Sequence, residues 1–202
     1  AADLLKAVGV SRVMTMDLHA PQIQGFFEVP VDHLDSSVIF IPYIRNLNET
    51  NLILASPDMG SSNRTRTFAR ALNLDMVICD KERKRANEIA SMTLIGDVAG
   101  KDVILIDDII DTGNTLAKSA QMLKDKGALS VRAMCTHPVL SGKAYETIEN
   151  SVIDELVVCD TIPLKGQSSK IKVLSVADLF ANAIKNVTEF GSISSLFNTA
   201  TK

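Results

Sequence analysis

Apolar residues run through this chain in two rhythms. RVMTMDL, NLILAS, DMVICD, DVILID, SVRAMCT and DELVVCD hold them in nearly unbroken short runs. Such runs predict strands covered on both faces, because a strand with one wet face alternates apolar and polar residues. Between them, SSVIFIPYIRNL, NRTRTFARALN, NTLAKSAQMLKDKG and SGKAYETIEN return to apolar positions at helical spacing, several with a Ser or Asn start and a Gly or Asn end. Toward the C-terminus KIKVLS predicts a last strand, and VADLFANAIKNV a helix with Ala, Leu and Ile on one face. This order of elements predicts an α/β fold: a mainly parallel sheet flanked by helices on both faces, in a Rossmann-like three-layer arrangement.

The opening AADLLKAV has the pattern of the end of an amphipathic helix, closed by Gly9 at the position after the C-cap. A chain that begins inside a helix is expected to lack its beginning. No fixed-period repeat or low-complexity segment is present. The best linker candidate, PLKGQSSK (Pro163 to Lys170), is short enough to be a surface loop within one domain.

Composition narrows the partners. The chain has 202 residues, 46% hydrophobic and 22% charged, as in ordinary globular proteins of one or two domains. A net charge of −3 and a pI near 5.6 give no electrostatic case for nucleic acid, so an anionic ligand must be met locally. Cys79, Cys135 and Cys159 stand singly in apolar contexts, without the spacing of a metal site or disulfide framework, and are expected to be buried thiols in a reducing cytosol. No apolar run reaches the ~18 residues of a membrane span, and AADLLKAVG lacks the charged and apolar regions of a signal peptide. No membrane partner is expected.

One stretch departs from both rhythms. In VILIDDIIDTGNT, Val103 to Thr115, four apolar residues run directly into Asp107 and Asp108, followed by Asp111 and a small hydroxyl-rich loop. Ligands of open parallel sheets bind beyond the carboxyl ends of the strands, where this segment is expected to lie. Ionised carboxylates only accept hydrogen bonds, so an adjacent pair suits a donor-rich ligand, such as the hydroxyls of a ribose, or a cation. Asp111-Thr112-Gly113-Asn114-Thr115 adds two hydroxyls and a flexible glycine ahead of a helix, whose free N–H groups and dipole favour a phosphate. A turn and a helix cap would need one carboxylate, and three within five residues repel one another.

VILIDDIIDTGNT resembles the phosphoribosyl-pyrophosphate loop shared by type I phosphoribosyltransferases and ribose-phosphate pyrophosphokinases (PRPP synthetases). MDLHAPQIQGFFEVPVD (Met16 to Asp32), SPDMG with Arg64, KERKRANE, TLIGDV, THPVLSG and SISSLF match the PRPP synthetases in the same order, and the chain is identified as a member of that family. The resemblance implies two domains of phosphoribosyltransferase-like fold. Residues 1–25 would be a remnant of the N-terminal domain, 26–185 the C-terminal domain with the ribose 5-phosphate site, and 186–202 a tail packing back on the N-terminal part. It implies transfer of the diphosphoryl group of ATP to the 1-hydroxyl of ribose 5-phosphate, giving 5-phosphoribosyl 1-diphosphate and AMP for nucleotide biosynthesis. Mg2+, a cytoplasmic location and a homo-oligomer, a hexamer built from dimers, belong to the same implication. A chain without most of the N-terminal domain would be weakly active or inactive.

The resemblance also assigns roles. His19 and Asp58 would be metal residues of the Mg2+–ATP site; by themselves a lone His reads as structural and Ser56-Pro57-Asp58 as a turn. Asp17, Glu28 and Asp32 would add negative field near the same cation. Lys81 and Arg83, in KERKR, would be catalytic, on a mobile loop closing over the transferring phosphates; composition alone reads KERKR as a solvated basic loop. Asp107 and Asp108 would lie beside the sugar and Asp111, Thr112, Gly113, Asn114 and Thr115 around its phosphate. His137 would shape the site or an interface. Asn114 and Ser61 stand where the family has a small residue and a Gly; Ser61 is expected to restrict close backbone approach to a ligand. The alternatives are a non-catalytic regulatory paralogue, which would not need this full set, and a type I phosphoribosyltransferase, disfavoured by MDLHAPQIQGFF.

Overall fold

The computed structural model describes residues 1–85 and 88–197, with the backbone alone for 81–85 and 88–91. The chain divides into two compact units, Ala1–Val38 with Ala177–Lys202, and Ile39–Val176.

In the first unit, α1 (Ala2–Ala7) ends as its sequence predicts. Gly9 takes φ +88°, its N–H donates to the Lys6 carbonyl at 2.9 Å and that of Val10 to Leu5 at 3.1 Å, which together satisfy carbonyls the helix leaves open. β1 (Val13–Met16) is shorter than the run RVMTMDL and pairs in parallel with β2 (Val31–Leu34), Val13 opposite Val31 and Met16 opposite Leu34. The pattern did not predict β2, because Asp32 and His33 break its apolar run. Arg12 explains Asp32: the guanidinium grips both carboxylate oxygens, Nη2 at 2.8 Å from Oδ1. Glu28 is paired with Lys6 in the same way. The helix Ala177–Thr188 and a 3-10 turn, Ile193–Leu196, complete this unit.

The second unit holds most of α2 (Ser37–Asn46), then β3 (Leu52–Ser56), α3 (Ser62–Leu72), β4 (Met76–Arg85), β5 (Glu88–Ile95), β6 (Asp102–Ile110), α4 (Asn114–Asp125), β7 (Ser130–Pro138), α5 (Ala144–Glu149), β8 (Glu155–Cys159) and β9 (Ile171–Leu174). The seven strands form one sheet in the order β5-β4-β3-β6-β7-β8-β9, parallel at every pairing except β4 with β5. The mainly parallel α/β fold expected from the pattern is therefore what forms.

Its unbroken apolar runs have the cause inferred from them, burial on both faces. One layer of core joins Ile53, Ala55, Val103, Leu105, Val131, Ala133, Leu156 and Val158 to Leu116, Ala120 and Leu123 of α4 and Ile148 of α5. The alternating residues Leu54, Ile104, Ile106, Met134 and Val157 are equally buried and point to the opposite face. Phe40 of α2 and Phe68 of α3 are also buried and pack with ring centroids 6.4 Å apart. Right-handed crossovers produce this division: α3 carries the chain from β3 to β4, α4 and α5 carry it the other way, and the helices fall on opposite faces.

One expectation is corrected here. KERKR was read as a loop following DMVICD, but the backbone of 81–85 continues β4 and pairs antiparallel with β5, Lys81 opposite Met92 and Arg83 opposite Ile89. Strand pairing satisfies the backbone of this charged run, which side-chain polarity alone does not reveal.

Candidate functional site

Strand order determines where a ligand can approach this sheet. β3 and β6 are neighbours, yet the chain leaves them in opposite directions, toward β4 and toward β7. A crevice opens beyond the carboxyl ends of two strands whose connections part in this way.

On the β3 side, Ser56 Oγ donates to the Asp58 carbonyl at 2.6 Å, and Asp58 Oδ1 accepts the N–H of Ser61 at 2.9 Å. Ser61 Oγ then donates to Asp107 Oδ1 at 3.1 Å. One residue thus joins carboxylates from two strands. Ser61 has φ −82° and ψ −1°, which any residue adopts, so the backbone needs no glycine here.

On the β6 side, Asp107 and Asp108 lie within the strand, which runs on to Ile110, rather than past its end. Asp108 is 6% exposed, and its N–H donates to Asp107 Oδ1 at 2.9 Å. Burial, then the neighbouring Asp108 carboxyl, push the Asp107 pKa from the ordinary 3.8 up to about 7.

Asp111, Thr112 and Gly113 link β6 to α4. Gly113 takes φ +75°, and a Cβ there would sit 3.3 Å from Ile148 Cδ1, so both backbone and space call for glycine. Among the described residues no side chain caps α4, and its first turn carries no acidic residue. Its leading N–H groups and positive dipole end are therefore set for an anion. Asn114 Nδ2 donates to Thr112 Oγ1 at 3.2 Å, and the Asp111 carboxylate accepts the hydroxyl of Ser141.

His137, next to the last residue of β7, contacts Thr161 Oγ1 through Nδ1 at 2.9 Å. The Thr161 hydroxyl donates to the Thr136 carbonyl at 2.7 Å. All three cysteines are buried and free, as expected from their contexts. Burial pushes the Cys79 thiol up to about 12, and burial followed by the Asp107 carboxylate holds Cys135 well above the ordinary value.

The other sequence-assigned residues are each described within their own unit. His19 belongs to the first unit, where it is exposed in the turn after β1. Buried Asp17 fixes that turn, with φ +43° and Oδ1 accepting the Ser36 N–H at 3.3 Å, while His33 Nε2 accepts the Leu18 N–H at 2.9 Å. Glu28 and Asp32, assigned a loose role near the cation, hold Lys6 and Arg12 instead. Lys81 and Arg83 have their backbones in β4, and their side chains lie outside what is described. Sequence reasoning missed the bridging role of Ser61 and missed Ser141 altogether. Both sit in segments already singled out, SPDMGSS and THPVLSG, but a hydroxyl bonds whatever the fold brings within about 3 Å.

Such an arrangement defines a doubly wound α/β protein with its candidate site at the switch point of the sheet. Comparison with known proteins gives the family. The sequence profile of the phosphoribosyl synthetase-associated domain matches residues 84–198. The ribose-phosphate pyrophosphokinase of Wolinella succinogenes is 58% identical over 196 residues, and that of Campylobacter jejuni 56%. Each match takes in 97% of this chain and 63% of the relative, so the chain spans less than two thirds of the length of the relatives it matches. The crystal structure of phosphoribosylpyrophosphate synthetase from Mycobacterium smegmatis superposes with a TM-score of 0.87 at 36% identity, over 94% of this chain and 63% of that one. The chain belongs to the phosphoribosyl synthetase-associated domain family.

Proposed function

We propose that this chain is the larger part of a ribose-phosphate diphosphokinase, whose ribose 5-phosphate site is the crevice between β3 and β6. The observation that carries this reading is the Ser61 bridge, which holds the Asp58 turn against Asp107 beside an uncapped, glycine-opened helix N-terminus. Asp107 and Asp108 accept the ribose hydroxyls. The N–H groups from Gly113 to Thr115, with the hydroxyls of Thr112 and Thr115, take the 5-phosphate. Asp111 stands at the seam between sugar and phosphate.

Ribose 5-phosphate bound in this way presents its 1-hydroxyl to ATP; the oxygen bonds to the β-phosphorus as the bond from that phosphorus to the oxygen bridging it to the α-phosphate breaks, AMP leaves with the bridging oxygen, and the hydroxyl proton passes to solvent. Lys81 and Arg83 set cations against the charge that develops on the transferring group. The oxygen donors fit Mg2+, a hard cation that prefers carboxylates and water: Asp58 and Asp107 both bond Ser61, and burial followed by the Asp108 carboxyl raises the Asp107 pKa. Asp58 would hold the ion, which would supply charge neutralisation on the phosphate oxygens; the same role for His19 rests on the resemblance of MDLHAPQIQGFF alone. The working protein is a cytoplasmic homo-oligomer, a hexamer built from dimers. That no described helix is long and apolar enough to cross a membrane fits this reading.

The test is formation of AMP from ATP and ribose 5-phosphate by the full-length protein. Lys81→Ala is expected to cost about a hundredfold in kcat, the scale of losing one preorganised charge partner. Normal turnover would remove Lys81 from the mechanism, and absence of AMP from the parent protein would end the assignment.

A further inference from the structure

An Asp two or three residues ahead of a helix start readily accepts the backbone N–H groups of its own loop. Asp111 has that spacing to Gly113 and Asn114. A carboxylate turned onto those donors would occupy the cradle a phosphate needs and place a like charge beside it. The structure has another arrangement: Asp111 Oδ1 takes the Ser141 hydroxyl, and among the described residues no side chain caps α4.

Ser141 is placed for this task by its backbone. Its N–H donates to the Asp111 carbonyl at 3.0 Å, and the Leu140 N–H donates to Ile110 at 3.1 Å, tying the segment after β7 alongside the loop after β6. Leu140 is buried and left-handed at φ +46°, a conformation that is costly for a leucine and persists only when its surroundings impose it. Ile148, from the same stretch of chain, lies against Gly113. The loop is thus backed by one segment at both of its ends.

We propose that Ser141 is a positioning residue that holds the Asp111 carboxylate off the leading N–H groups of α4 and so keeps the cradle open to a phosphate monoester. This rests on the reading of residues 111–115 as the phosphate cradle, and the test separates the two. Calorimetric titration of the chain with ribose 5-phosphate and with inorganic phosphate is carried out on the parent, Ser141→Ala, Ser141→Thr, Asp111→Ala, the Ser141→Ala/Asp111→Ala pair and Thr115→Ala. Ser141→Ala is expected to weaken inorganic phosphate about tenfold, the scale of one hydrogen bond to a charged group. Ser141→Thr, which keeps the hydroxyl, restores it. In the Asp111→Ala background, where no carboxylate remains to be held, Ser141→Ala has no further effect.

A tenfold loss that persists without Asp111 makes Ser141 a general structural residue and overturns the proposal. Unchanged phosphate affinity in Ser141→Ala, with weakened binding in Thr115→Ala, overturns it while leaving the cradle intact. Parent-like binding in Thr115→Ala, or no binding by the parent, removes the cradle reading and this proposal with it.

Discussion

Asp107 shows how far a single residue can depart from its ordinary chemistry. Its carboxyl, raised from 3.8 to about 7 by burial and by Asp108, keeps a proton that the unfolded chain has already released. The folded state therefore binds more protons between about pH 4 and pH 7, and stability falls as pH rises across that window and levels off above it. Urea midpoints at pH 5 and pH 8 should show this fall in the parent and a smaller one in Asp107→Asn, which is neutral throughout; equal falls would contradict it. The three aspartates were legible because acids inside an apolar run have no cheap structural use. Ser61 and Ser141 were not, since nothing in a serine's own neighbourhood names a partner 46 or 30 residues away.

At the scale of elements, strand runs and helix stops were the most readable features because their causes are local. Both-face burial demands unbroken apolar runs, and a left-handed C′ position demands Gly. Gly127, at φ +92°, ends α4 as Gly9 ends α1. KERKR was misread because strand pairing belongs to two segments at once, and β5 carries half of that information. Gly96, which follows β5, has a stricter reason for its identity than the TLIGDV motif supplies. It takes φ +113°, and a Cβ there would come within 2.5 Å of Val77 Cγ1 in β4. Gly96→Ala should destabilise the chain by about 3 kcal/mol, from strained backbone plus overpacking. Gly96→Ala/Val77→Ala, measured in the same denaturation, should recover none of the backbone part. A neutral Gly96→Ala would show that neither constraint holds.

At the scale of the whole molecule, two units and a chain spanning 63% of its relatives' length set the expectation for activity. The candidate site residues at the carboxyl ends of β3 and β6 all belong to one unit, so this chain alone should bind ribose 5-phosphate with Mg2+ dependence while turning over ATP poorly. Titration calorimetry with and without Mg2+, beside an AMP assay, checks both halves; full turnover by this chain would mean that it contains a complete ATP site. By itself the sequence determined the α/β class, the buried strands, the helix ends and the acidic loop, because those depend on burial and backbone conformation over a few neighbouring residues. Only the tertiary structure decided that β3 lies beside β6, that KERKR extends a strand, that Ser61 joins Asp58 to Asp107, and that Ser141 restrains Asp111. Each of these depends on which distant segments the folded sheet brings within hydrogen-bonding reach, and a hydroxyl or a charged run carries no local record of that choice.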